Sequence, residues 1–175
     1  MNYMYPYLRL IRVVIQSGLQ KKKNLLYEES TINLRVLPQD IDPFMELNNG
    51  RYVTLLDLGR FGYGANVKIS KFLKANKWSL TIVGTYNEYR FRLRLFQKFT
   101  LKTKIFGYDE KWFYFFQKAE RKNKTHMASV VKFAFTSKKG IVLPKEVIIA
   151  MGEDYDPNKL PNWITEVGEH ELFKK

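Results

Sequence analysis

The chain has 175 residues, 45% of them hydrophobic, which fits one domain of ordinary size with a real core and some excess length. It has no cysteine, which excludes a disulfide framework, a cysteine–zinc site and a cysteine nucleophile; with only His126 and His170, a histidine metal cluster or a Ser-His-Asp triad is nearly starved of parts. A net charge of +13, from 30 basic and 17 acidic residues, fits nucleic acid, anionic lipid or a phosphate-rich small molecule, and equally a merely basic soluble surface.

In chain order, Met1 to Gln16 lacks a basic start and a small-residue cleavage site, so it does not read as a signal peptide. No run of about 18 uncharged apolar residues predicts a membrane-spanning helix, and a cytoplasmic protein is the default expectation. The stretch YLRLIRVVIQ predicts a helix. Leu8, Ile11 and Ile15 share one face, widened by Leu10, Val13 and Val14, with Arg9, Arg12 and Gln16 elsewhere. Gly18 weakens its continuation, and Lys21, Lys22 and Lys23 follow. Such a helix either packs on its own domain or a partner subunit, or rests peripherally on an anionic membrane through residues 1–23.

Thr31 to Leu37 alternates apolar and polar residues and reads as a strand ended by Pro38. QDIDPFMELNN follows as a loop. From Gly50 to Tyr63 a helix carries Tyr52, Leu55, Leu56, Gly59 and Tyr63 as one stripe, with Asn48 or Asn49 as its cap. A short helix is expected near Val67 to Ala75. Period two then sets in. Ser79 to Phe96 reads as one long strand, with Arg90, Arg92 and Arg94 opposite Tyr89, Phe91, Leu93 and Leu95. Phe99 to Phe106, Lys111 to Ala119 and His126 to Thr136 are further strands, separated by turns at Gly107–Glu110 and at RKNK. The middle one is apolar on both faces and suits a central position. Pro144 opens a last helix through Met151, and the tail from Glu153, with Pro157 and Pro161, is expected to be irregular as far as Trp163.

Strand, long helix, then about four antiparallel strands is an α+β order with one helix to cover one sheet. A single curved sheet leaves edges that dimerisation commonly covers. The expected division is an N-terminal amphipathic extension at 1–26, the folded domain at 27–152 and a C-terminal tail at 153–175.

The stretch that bears chemistry is Asp40 to Arg60, DIDPFMELNNGRYVTLLDLGR, where an acidic loop runs into the start of a buried helix. Unsatisfied N–H groups and the helix dipole can polarise a carbonyl there, while a carboxylate attacks the carbon or activates water. Turn formation and capping account for the same residues without catalysis. DIDPFMELNNGRY also resembles the D-x-D-x-x-x-H-x-N-N-x-R-Y signature of 4-hydroxybenzoyl-CoA-type thioesterases, and LLDLGR and YRFRLRLFQKFTLKTKIFGYDEKWFYF resemble the later segments of that group. The resemblance spans roughly Thr31 to Gly152. It implies a hotdog fold, an antiparallel sheet wrapped around one central helix, assembled as a homo-oligomer, dimer or tetramer.

It further implies an acyl-CoA hydrolase without cofactor or metal. Asp42 matches the catalytic carboxylate, as nucleophile or as base on water. Asn49 and Gly50 match the helix start whose amides polarise the thioester, and Asn48 helps shape that turn. Tyr52 suits a packing role. Glu46 stands where the group usually has His; it either takes over proton transfer or marks an altered site, since a second carboxylate beside Asp42 weighs against an anionic ligand. A catalytically silent hotdog module that binds acyl groups or a protein is the alternative this raises. Asp40 reads as a turn former. Arg90, Arg92 and Arg94, with Lys98, either meet the phosphates of coenzyme A or form a solvated face. His126 reads as a turn or surface residue. Nucleic acid is not expected, because the aromatics fall on periodic, buried faces rather than on an exposed stacking platform.

Overall fold

Long alternating runs in the second half of the chain build one antiparallel sheet, because a period of two turns successive side chains to opposite faces. In the computed structural model, which describes residues 5–19, 27–156 and 160, the strands are β1 (Ser30–Arg35), β2 (Ser79–Tyr89), β3 (Lys98–Tyr108), β4 (Phe113–Arg121), β5 (Lys124–Ser137) and β6 (Gly140–Val142). Their order is β1-β3-β4-β5-β2, with β6 paired to β5. Lys122 and Asn123, both at positive φ (49° and 58°), close the β4–β5 hairpin as a tight two-residue turn. Lys21–Lys23, Pro157, Pro161, Trp163 and His170 lie outside the described residues.

Among the described residues, four α-helices accompany the sheet, α1 (Tyr7–Gly18), α2 (Asn49–Asn66), α3 (Ile69–Asn76) and α4 (Pro144–Ala150), together with a short 3-10 turn at Pro38–Asp40. The long α2 buries Tyr52, Leu55, Leu56, Leu58 and Tyr63. It can lie close to β3 and β4 because Gly59 has no side chain: a Cβ there would come within 2.7 Å of Thr103 and 2.8 Å of Leu101. Gln117, buried on β4, fixes the approach by donating from Nε2 to the Leu56 carbonyl (3.0 Å) and to Thr103 Oγ1 (2.9 Å). Among the described residues the core has two large clusters and a small one around Tyr114 and Val130. Val36, Leu47, Leu55, Leu58 and Leu101 lead a largely aliphatic one, and Tyr63, Phe113, Phe115, Phe133 and Phe135 an aromatic one.

Most expected elements stand within a few residues of their observed bounds; the two larger differences are informative. The strand expected to run to Phe96 stops at Tyr89. Beyond it the amides of Arg90 and Phe91 both donate to the His126 carbonyl (2.9 and 3.2 Å), and the chain leaves the ladder. Leu93 is buried while Phe91 is exposed, so their alternation does not mark one strand face. The second difference is in α1, which packs on α2 through Val13 and Ser17 against Gly62, so the stripe Leu8, Ile11 and Ile15 points away from the domain.

Candidate active site at the start of α2

The loop before α2 is shaped by two carboxylates in opposite ways. Asp40 is fully buried. It accepts from Arg9 of α1 at 2.8 and 3.1 Å, from Arg51 of α2 at 3.2 and 3.4 Å, and from the Leu37 amide at 2.9 Å. Its backbone carbonyl accepts the Asn48 amide at 2.9 Å. Arg9 also donates to the Arg35 carbonyl. Asp40 closes the Pro38–Asp40 turn, as read from the sequence, and is also a buried ionic hub tying α1, the loop and α2 together; a buried carboxylate needs both charge pairing and hydrogen bonds, and the two arginines supply them from different elements.

Asp42 is half-buried. Its Oδ1 accepts from the amides of Phe44 (2.9 Å) and Glu46 (3.4 Å), and its own amide donates to the Glu46 carbonyl (2.9 Å). This small turn holds the carboxylate in place, while Oδ2 makes no hydrogen bond among the described residues. Asn48 is the cap of α2: its Oδ1 accepts from Gly50 (2.9 Å) and Arg51 (3.2 Å). The two amides expected to polarise a carbonyl thus differ. That of Gly50 is taken by the cap, whereas that of Asn49 meets no acceptor among the described residues.

Glu46 pairs with the neighbouring segment on both levels. Its backbone bridges to Arg94, and Arg92 Nε lies 3.0 Å from Oε2. That approach is an ion pair by distance but off the bonding direction, so Oε2 has no directed hydrogen bond. Tyr52, buried on α2, presents a hydroxyl without a partner among the described residues, its ring 5.4 Å from that of Tyr89. Burial foremost, then Tyr89 and the charge of Glu46, push the Tyr52 phenol well above its ordinary range, so it stays a proton-bearing donor.

Arg90, Arg92 and Arg94 line a cavity of about 580 Å³ together with Phe91, Arg121, Lys122, Lys124 and His126. They reach it from an irregular segment, not from a strand face. Sequence reasoning missed the hairpin cations Arg121, Lys122 and Lys124, because only the β4–β5 pairing brings them beside Arg90–Arg94. It also placed His126 at the surface. His126 is buried at a β-bulge, where Ala119 pairs with Met127 but Glu120 with Thr125. Its Nδ1 lies 3.3 Å from the Phe91 carbonyl, and its ring stands edge-on to Phe91 at 5.7 Å. A histidine interrupting a strand's alternation was the available signal.

The arrangement supplies a fixed carboxylate with one free oxygen, an open amide at a helix start and a cationic cavity next to the loop. The described residues contain no cluster able to hold a metal ion.

Residues 36–166 match the model of a family described as the thioesterase-like superfamily. Protein THEM6 of Danio rerio is 30% identical over 128 residues, covering 73% of this chain and 63% of that protein. THEM6 of Xenopus laevis is 29% identical over 63% of this chain and 54% of its own length. The chain thus spans less than two thirds of the length of these relatives. Among solved structures, a probable thioesterase from Escherichia coli superposes with a TM-score of 0.65 at 17% identity, over 69% of this chain and 95% of that one. A Staphylococcus aureus protein solved in complex with CoA gives a TM-score of 0.57 at 16% identity, over 86% of this chain and 98% of that one. At such identities the likeness is one of fold, and the fold is the hotdog.

Proposed function

Because the chain belongs to the thioesterase-like superfamily, we propose that it hydrolyses acyl-CoA thioesters with Asp42 as the working carboxylate. The observations that support this most are the turn-fixed Asp42 carboxylate, its Oδ2 without a bond among the described residues, and the unengaged Asn49 amide at the start of α2. As a base, Asp42 takes a proton from water; the hydroxide adds to the thioester carbon, and the carbonyl oxygen becomes an oxyanion facing the Asn49 amide and the positive end of the helix. The C–S bond then breaks, the acid forms, and the proton on Asp42 passes to the departing thiolate. As a nucleophile, Asp42 instead attacks the thioester carbon, the C–S bond breaks and the thiolate leaves, and water adds to the Asp42 carbon of the resulting acyl anhydride, releasing the acid and giving a proton to the thiolate. Hydrolysis in heavy-oxygen water over a single turnover separates the two, since only the anhydride route places label in the Asp42 carboxylate. Gly50 contributes through the cap with Asn48, which keeps the first turn of α2 in shape.

Arg90, Arg92 and Arg94, with Arg121 and Lys124, supply cations for the phosphates of coenzyme A. Glu46 is held by Arg92 and so can sit beside such a ligand with its charge offset. A homodimer through the edge strand β2 fits the same reading. Among the described residues that strand offers an unpaired ladder, and it exposes Ile82, Val83, Tyr86 and Tyr89. The test is thiol release from a panel of acyl-CoAs by the wild type and by Asp42→Asn. Turnover is expected to fall by about a hundredfold or more; equal rates would reject the role given to Asp42.

Glu46, standing where the signature has His, favours one other reading: a catalytically silent module that binds acyl groups or a protein partner. Measurable acyl-CoA binding without turnover of any thioester, and no gain in Glu46→His, would select it.

A further inference from the structure

The outer face of α1 has the polarity of an inner one. Val13 and Ser17 are its buried residues. On the opposite side Leu8, Ile11, Ile15 and Leu19 are 86%, 55%, 57% and 76% exposed. Their spacing puts them on one stripe, flanked by exposed Tyr7 and Val14 on one side and by Arg12 and Gln16 on the other. A surface helix in water shows the reverse arrangement, and a stripe of this kind marks a surface that something covers. Beside Arg12 opens a groove of about 1390 Å³ whose lining includes Arg9, Arg35, Lys98 and Lys122. In sequence, Lys21, Lys22 and Lys23 follow the stripe after Gln20.

We propose that α1 docks this face on an anionic phospholipid bilayer, its aliphatic stripe among the headgroups and acyl boundary, and the flanking cations on lipid phosphates. Apolar residues along one side of a helix with arginine and lysine at its margins is the pattern that binds in the plane of a bilayer. The size of the face argues against a second copy as its cover. A 12-residue helix is about 18 Å long and about 10 Å wide, a footprint of roughly 200 Å², well short of the about 800 Å² per partner of a stable protein interface. A two-fold copy would also bring the same cations against each other, whereas an anionic surface complements them. At 12 residues α1 is about 18 Å long, short of the about 30 Å hydrocarbon core, which suits lying in the plane of the bilayer rather than crossing it. Through Arg9 the helix is bonded to Asp40, whose carbonyl holds the Asn48 amide at the start of α2. Bilayer contact therefore fixes the loop that carries Asp42 relative to the lipid.

The experiment is flotation of the full chain with vesicles of phosphatidylcholine alone and of phosphatidylcholine with phosphatidylserine. Binding is expected to the anionic vesicles only, weakening as salt is raised. The combined substitution Leu8→Ser, Ile11→Ser and Ile15→Ser should reduce partitioning by about tenfold or more. Its circular dichroism, melting temperature and rate on a soluble short-chain acyl-CoA should match the wild type. Failure of the wild type to float, equal binding to both vesicle types, or full binding by the triple variant would each overturn the proposal. So would chromatography in which the wild type is a larger oligomer that the triple variant breaks up, because the face would then be a contact between copies. These readouts do not depend on catalysis, so their failure is distinct from failure of the thioesterase reading.

Discussion

The two ends of α2 rest on opposite kinds of chemistry. Near its C-terminal end Tyr63 meets Phe115 edge-on at 5.4 Å, Phe115 stacks on Phe133 at 4.4 Å, and Phe113 stacks on Phe133 at 5.4 Å. All of these rings are buried. At the N-terminal end the helix meets a loop of ion pairs and turns, with Phe44 and Met45 exposed, one carboxylate oxygen of Asp42 uncommitted and the Asn49 amide open. One end is complete in itself. The other keeps unused valences, which suits a place where a ligand finishes the bonding. The contrast separates a packed end from an open one along a single helix.

The contrast is most exposed to refutation at Phe133. Replacing it by Ala removes a ring stacked on two others and should lower unfolding free energy by about 4 kcal/mol. Denaturant melts measure the loss, and thiol release measured well below the melting point should stay close to wild type. A comparable loss of activity in the folded variant would mean that the two ends are not separable. Asp40→Ala tests the other side. It leaves Arg51 buried without its counter-charge and frees Arg9, which should destabilise by about 3 kcal/mol. It should also lower turnover, because Asn48 and Asp42 lose the hub that fixes their loop. An unchanged melt would show that the buried ion pairs do not hold the loop.

The smallest effect is alkaline. Burial is the first cause of the raised phenol pKa of Tyr63 and Tyr114 at the aromatic end and of Tyr52 at the loop end, with Asp109 adding to the effect at Tyr114. In the unfolded chain these phenols ionise near 10.0. Above that pH the unfolded state therefore holds fewer of their protons than the native one. Their contribution to stability is complete below pH 10 and is lost as pH rises toward their native values. Tyrosinate absorbance should consequently appear together with loss of ellipticity. A well-resolved native titration of all tyrosines near their ordinary value would contradict the burial described.

The sequence made the sheet and the central helix legible because both depend on local periodicity. The run KWFYFFQKA, apolar on both faces, marks a central strand, and the stripe Tyr52, Leu55, Leu56, Gly59 and Tyr63 marks a helix face, each without reference to the rest of the chain. The motif DIDPFMELNNGRY located the loop for the same reason. What stayed hidden depends on distant partners. Asp40 looked like a turn residue because its two arginines come from α1 and from 11 positions further on. The segment after Tyr89 kept an alternating pattern although its amides bond to His126. The direction of the α1 stripe was hidden because amphipathicity defines a face without saying which way it points.

The aromatic cluster also decides what light can report about this molecule. Trp78 packs edge-on against Phe72 and Phe135 at 5.5 and 6.4 Å, and Trp112 belongs to the patch around Tyr114. With the other two indoles, Trp112 and Trp163, replaced, emission from Trp78 would follow the aromatic end of the domain. A fluorophore placed at exposed Phe44 would report on the Asp42 loop instead.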